Sequence, residues 1–128
     1  MTPEPSVLIF DAANESTEVL SAALGREGIG VYTADRAEQA VALLWERSPV
    51  AVLVDTDCLG SEEAKGLRAL CEAARRKNAP IVSIGAKRNG NTTGHDVEFV
   101  RKPYQYGRLV RRICESVSGT RHTARRAA

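Results

Sequence analysis

The sequence predicts an α/β fold, a parallel sheet with helices covering both faces. Two observations carry this prediction. Five short apolar runs of strand length alternate with amphipathic helical stretches, and three of those runs end on ionisable residues of complementary charge, Asp11, Asp55 and Lys102. Right-handed crossovers with one reversal of winding bring the ends of the first, third, fourth and fifth strands around a single crevice, where open α/β sheets hold their ligands.

Each element follows in turn. Val7 to Phe10 is continuously apolar, as a strand buried on both faces requires. Asn14 is placed to cap the first helix, with Glu15 and Glu18 near its positive end. Val19, Leu20, Ala23 and Leu24 form its inner face, and Gly25 and Gly28 end it. Gly30 to Ala34 reads as the second strand. Asp35 is predicted to cap a second helix with Ala37, Ala40, Val41 and Leu44 inward and Trp45 near its end. Pro49 breaks the chain before the third strand, Val50 to Val54.

Thr56 to Gly60 reads as a loop, and Ser61 opens a third helix with Leu67, Leu70, Cys71 and Ala74 facing the core. Gly66 lies within that helix at a cost of about 1 kcal/mol relative to alanine. Asn78-Ala79-Pro80 leads into the fourth strand, Ile81 to Ile84. Residues 87–96 are rich in turn formers and show no apolar period, so no helix is predicted there. Val97 to Arg101 forms the fifth strand. A last helix carries Leu109, Val110, Ile113 and Val117 inward and ends at Gly119.

Bulk properties narrow the function. A chain of 128 residues, 43% hydrophobic and 27% charged, suits one soluble domain. The organisation expected is an N-terminal extension over 1–5, the domain over 6–118 and a flexible basic tail over 119–128. A net charge of +2 and scarce aromatics argue against direct nucleic-acid binding. No apolar run approaches the ~20 residues of a membrane span. The N-terminus lacks a signal-peptide pattern, so a cytoplasmic location is expected. Cys58, Cys71 and Cys114 have no paired spacing and read as core residues of a reducing compartment. His95 and His122 are isolated, which argues against a zinc site.

Any one polar residue after a buried strand has a bland explanation, since polarity is expected there. Three of complementary charge point to a shared pocket. Asp57, two residues beyond Asp55, is expected to face the same crevice, and Lys87 to supply a second positive charge. Like charges this close need compensation. An internal ion-pair cluster of Asp11, Asp55 and Asp57 with Lys102 and Lys87 is the expected arrangement.

The order and spacing of the Asp11 run, the Asp55 run and Lys102-Pro103-Tyr104 resemble the receiver domain of bacterial response regulators, in an atypical, degenerate form. The resemblance covers roughly Ser6 to Val117. It implies a flavodoxin-like three-layer fold with a five-stranded parallel sheet of order 2-1-3-4-5, the fourth helix being shortened or absent. It also places Asp55 at the position that accepts a phosphoryl group from a histidine kinase. Lys102 stands at the position that contacts the phosphoryl oxygens, before a proline whose preceding peptide bond is usually cis. Phe99 stands at that of the switch aromatic.

Two positions depart from the family. Ala12 stands where a second acidic magnesium ligand is usual, leaving Asp11 and Asp55 as the remaining metal-binding candidates. Gly85 stands where a hydroxyl residue is usual, and Ser83 lies deeper on the same strand. Magnesium leans on few protein carboxylates, so losing one should weaken it severely. No other cofactor is expected.

The leading expectation is therefore a phosphorylation-impaired receiver acting as a non-catalytic protein-interaction module. Its partner would be a histidine kinase, an output domain or another signalling protein. Phe99 to Val117 and residues 87–96 would be its working surface, and a homodimer through the 99–117 face is a further expectation. The alternative is a working magnesium-dependent phosphoacceptor at Asp55, with Asp57 or water replacing the lost ligand. An enzyme or flavin binder on the same fold ranks below both. Ala12-Ala13-Asn14 makes no phosphate cradle, and neither histidine is placed near a strand end.

Overall fold

In the computed structural model the described residues are 5–11, 17–57, 59, 61–86, 97–103 and 105–115. The expectations for Ala12, Asn14, Glu15, Cys58, Lys87, the 87–96 segment, Val117 and the tail lie outside them.

Five strands form one parallel sheet: β1 (Ser6–Phe10), β2 (Gly30–Ala34), β3 (Ala51–Asp55), β4 (Ile81–Gly85) and β5 (Val97–Arg101). Their order is β2-β1-β3-β4-β5, the order the resemblance implies. Helices α1 (Thr17–Arg26), α2 (Ala37–Arg47), α3 (Ser61–Arg76) and α4 (residues 106–115) complete the described structure. The third strand begins at Ala51 rather than Val50 and includes Asp55 as its last residue.

Alternation along the buried strands divides the core into two layers, because successive side chains leave a strand on opposite faces. Leu8, Phe10, Val52 and Val54 meet α2 and α3 through Ala37, Ala40, Leu44, Leu67, Leu70 and Ala74. Val7, Ile9, Ala51 and Leu53 meet α1 and α4 through Leu20, Leu24, Leu109, Val110 and Ile113. Each large aliphatic side chain buried this way contributes about 1.5–3 kcal/mol. The edge strand β5 is only half-buried.

Local details correct two sequence expectations. Val19 is 49% exposed while Leu20 and Leu24 are buried. Adjacent helical positions are about 100° apart, so Val19 and Leu20 cannot both face a narrow contact. The N-cap of α2 is Arg36, with no side-chain cap bond, rather than Asp35. The Asp35 N–H instead donates to Gln39 Oε1 at 3.4 Å.

Helix ends are closed by backbone geometry. At the end of α1, Gly28 takes φ +77°, its N–H donates to Gly25 O and the Ile29 N–H donates to Leu24 O. This double closure needs a left-handed residue, and glycine takes that conformation at the lowest cost. Gly25 itself lies inside the helix. Asn78, at φ 56°, plays the same part after α3, with the Ala79 N–H donating to Ala74 O. Gly66 has a packing reason: a Cβ there would collide with the Cβ of Ala37. Its absence lets α2 and α3 lie close together on one face of the sheet.

Candidate functional site

The sheet order sets β3 between β1 and β4, with β5 beyond β4. Phe10 is level with Val54, so Asp11 and Asp55 stand side by side at the carboxyl ends of the two central strands. Both are buried, at 1% and 5% exposure. The Asp11 N–H donates to Ala34 O, tying the end of β1 to β2.

On the other side, Asp55 is level with Ile84, and Gly85 with Arg101. The Lys102 N–H donates to Gly85 O at 2.9 Å, carrying the β4–β5 ladder one step past the strand and fixing where the lysine starts. The Thr56 N–H and hydroxyl both donate to Ile84 O, at 2.9 and 3.2 Å, which locks the turn after β3 onto β4. The Lys102–Pro103 peptide bond is cis, as the resemblance implies.

These constraints bring Asp55, Asp57 and Lys102 together. Lys102 Nζ lies 2.7 Å from Asp55 Oδ2 and 3.2 Å from Asp57 Oδ2. The Asp57 N–H donates to Asp55 Oδ1 at 3.1 Å, a turn that an aspartate side chain closes on the backbone two residues on. Asp57 Oδ1 in turn accepts from the Ala86 N–H at 2.9 Å. All four oxygens of the two carboxylates therefore face a donor.

The electrostatics follow from these bonds. The Ala86 N–H is the main cause holding the Asp57 carboxyl below its usual range; burial opposes it, and Lys102 adds to it. Burial pulls the Lys102 ammonium down, but Asp55 and Asp57 outweigh it and hold the group well above the ordinary lysine range. Lys102 is thus a charged bridge between two acids.

Of the residues singled out from sequence, Asp11, Gly85 and Phe99 occupy their expected strand positions. Gly85 is buried and Phe99 half-buried on the edge strand. Ser83 is buried at 1% exposure, deeper in β4 than Gly85. Ala12 and Lys87 lie outside the described residues. Sequence reasoning missed the Ala86 N–H. A backbone donor has no residue signature.

The donor set fits magnesium poorly. Both Asp55 oxygens already face donors, and Ala12 in the sequence brings no second carboxylate to the end of β1. Among the described residues no group of three His, Cys, Asp or Glu side chains is placed to hold a metal ion.

No family model matches the sequence. Solved structures match its fold across nearly the whole chain. A CheY-like response regulator receiver domain protein from Methanospirillum hungatei JF-1 superposes with a TM-score of 0.75 at 19% identity, over 94% of this chain and 99% of that one. The chemotaxis protein CheY4 of Vibrio cholerae gives 0.71 at 16% identity, over 89% and 99%. The receiver domain of the hybrid histidine kinase CckA gives 0.65 at 21% identity, over 87% and 97%. The chain has the receiver-domain fold, and the likeness expected from its strand-end residues holds at the level of architecture. No helix among the described residues is long and apolar enough to cross a membrane.

Proposed function

We propose that this chain is an atypical receiver module of two-component signalling in which phosphoryl transfer to Asp55 is impaired and output depends on binding a protein partner. One observation carries the reading. Asp55 stands at the phosphoacceptor position with both oxygens engaged, by Lys102 at 2.7 Å and by the Asp57 N–H at 3.1 Å. A nucleophilic carboxylate needs a counter-charge for the incoming phosphoryl group. Here Lys102 already serves two acids. Gly85 offers no hydroxyl at the end of β4, and Ala12 offers no carboxylate beside Asp11.

The partner is a kinase, an output domain or another signalling protein of the cytoplasm, and it is met through β5 and α4. Those elements carry the half-buried β5 face and Tyr106, 37% exposed, as well as an ion pair between Arg112 and Glu98 that joins strand to helix. Self-association through the same face is a special case.

Incubation with acetyl phosphate and magnesium, followed by intact-mass measurement, tests the reading. The expected result is no phosphoryl-sized gain in mass under conditions that label an ordinary receiver to a large extent. A gain abolished by Asp55→Asn would establish the alternative, a working magnesium-dependent phosphoacceptor.

A further inference from the structure

Two donors from two different strand ends converge on one side chain of a third. The Ala86 N–H follows β4 and Lys102 follows β5, yet both point at the Asp57 carboxylate, at 2.9 and 3.2 Å. A fixed backbone N–H paired with an ammonium is an oxyanion-binding arrangement, strongest when the guest is charged. Gly85, just before Ala86, places no side chain beside that N–H.

The guest here belongs to the chain itself. Asp57 sits at the mouth, its side chain 30% exposed, while the Asp55 side chain beneath is 6% exposed. We propose that the Asp57 carboxylate is a tethered occupant of an oxyanion site formed by the Ala86 N–H and Lys102 Nζ, which keeps free phosphate out and holds these strand ends in an anion-bound arrangement. The inference rests on reading the Asp55 pocket as impaired in phosphoryl transfer, and it supplies a cause for the impairment.

Tethering makes the occupant hard to displace. A carboxylate two residues from Asp55 is present at high effective concentration, whereas phosphate must come from solution. It also repels a second anion approaching the same lysine. The consequence for signalling is a constitutive state: a partner that recognises the ends of β4 and β5 finds them already pinned by an anion, with no phosphoryl input.

Titration of the 128-residue chain with inorganic phosphate, followed through the amide resonance of Ala86, tests this directly. In wild type that resonance should stay fixed. In Asp57→Ala it should shift saturably, with an affinity at least roughly tenfold above wild type, the ratio that one vacated charge-assisted bond supports. Adding Lys102→Gln to Asp57→Ala should abolish the gain. Asp57→Asn keeps an acceptor for Ala86 and removes the charge, so it should fall between the two and serves if Asp57→Ala does not fold. Equal titration of wild type and the folded variants would overturn the proposal, as would folded variants that never move Ala86. A wild type that acquires a phosphoryl group would refute impaired transfer instead, a separate readout from this comparison.

Discussion

Lys102 answers to two carboxylates at once, and acid should separate their contributions. Asp57 is held below the ordinary carboxylate value, chiefly by the Ala86 N–H. A group whose pKa falls on folding adds stability that is complete above its unfolded value, near 3.8, and lost as pH drops through the folded one. Lys102 keeps its charge throughout that window, since its own shift is upward and affects only the alkaline side. Asp57→Asn should therefore cost about 1 kcal/mol at pH 7 in urea unfolding. The gap to wild type should close as the pH falls below the ordinary carboxylate range and Asp57 takes up its proton. An undiminished gap in acid would mean that the loss is one of packing and not of charge. At this scale the sequence was legible where charge ends an apolar run, as at Asp55 and Lys102, and by spacing at Asp57. It was silent on Ala86, whose contribution is made by its backbone.

Between α2 and α3 the relevant residue is one that lacks a side chain. Gly66 lies in a helix interior, where propensity alone would favour alanine by about 1 kcal/mol. The collision with Ala37 reverses that preference. Gly66→Ala should lower stability by about 1–3 kcal/mol, the usual cost of overpacking, and Ala37→Gly in the same chain should recover part of it. Thermal melts of the two single variants and the double variant check this. Elements with clean periodicity were readable in sequence, as the starts of α3 and β4 show. Val19 was misplaced because Val19 and Leu20 are adjacent and equally apolar, and a pattern cannot tell which one turns inward. The cap of α2 falls at Arg36, the extended residue before the first turn, while the Asp35 N–H donates to Gln39 Oε1.

Across the whole molecule two core layers share one sheet. Leu8 belongs to the layer under α2 and α3, and Leu53 to the layer under α1 and α4; both are completely buried. Leu8→Ala and Leu53→Ala should each cost about 2–5 kcal/mol, the range for leucine cavities in packed cores. If the layers form one cooperative unit, each variant should still unfold in a single transition that circular dichroism and fluorescence report alike. Cover on both faces of the sheet was legible from the continuous apolar strands, whereas the strand order came from the likeness to receiver domains and is the one observed. That same order carries a consequence for how the chain comes together during synthesis. Asp55 and Asp57 leave the ribosome well before Lys102, and β5, which delivers that lysine, is the last of the five described strands in chain order. Until it docks against β4, the acids lack their shared ammonium. The charged end of this sheet is thus completed only when β5 arrives, and until then Asp55 and Asp57 keep their backbone N–H donors but lack the ammonium of Lys102.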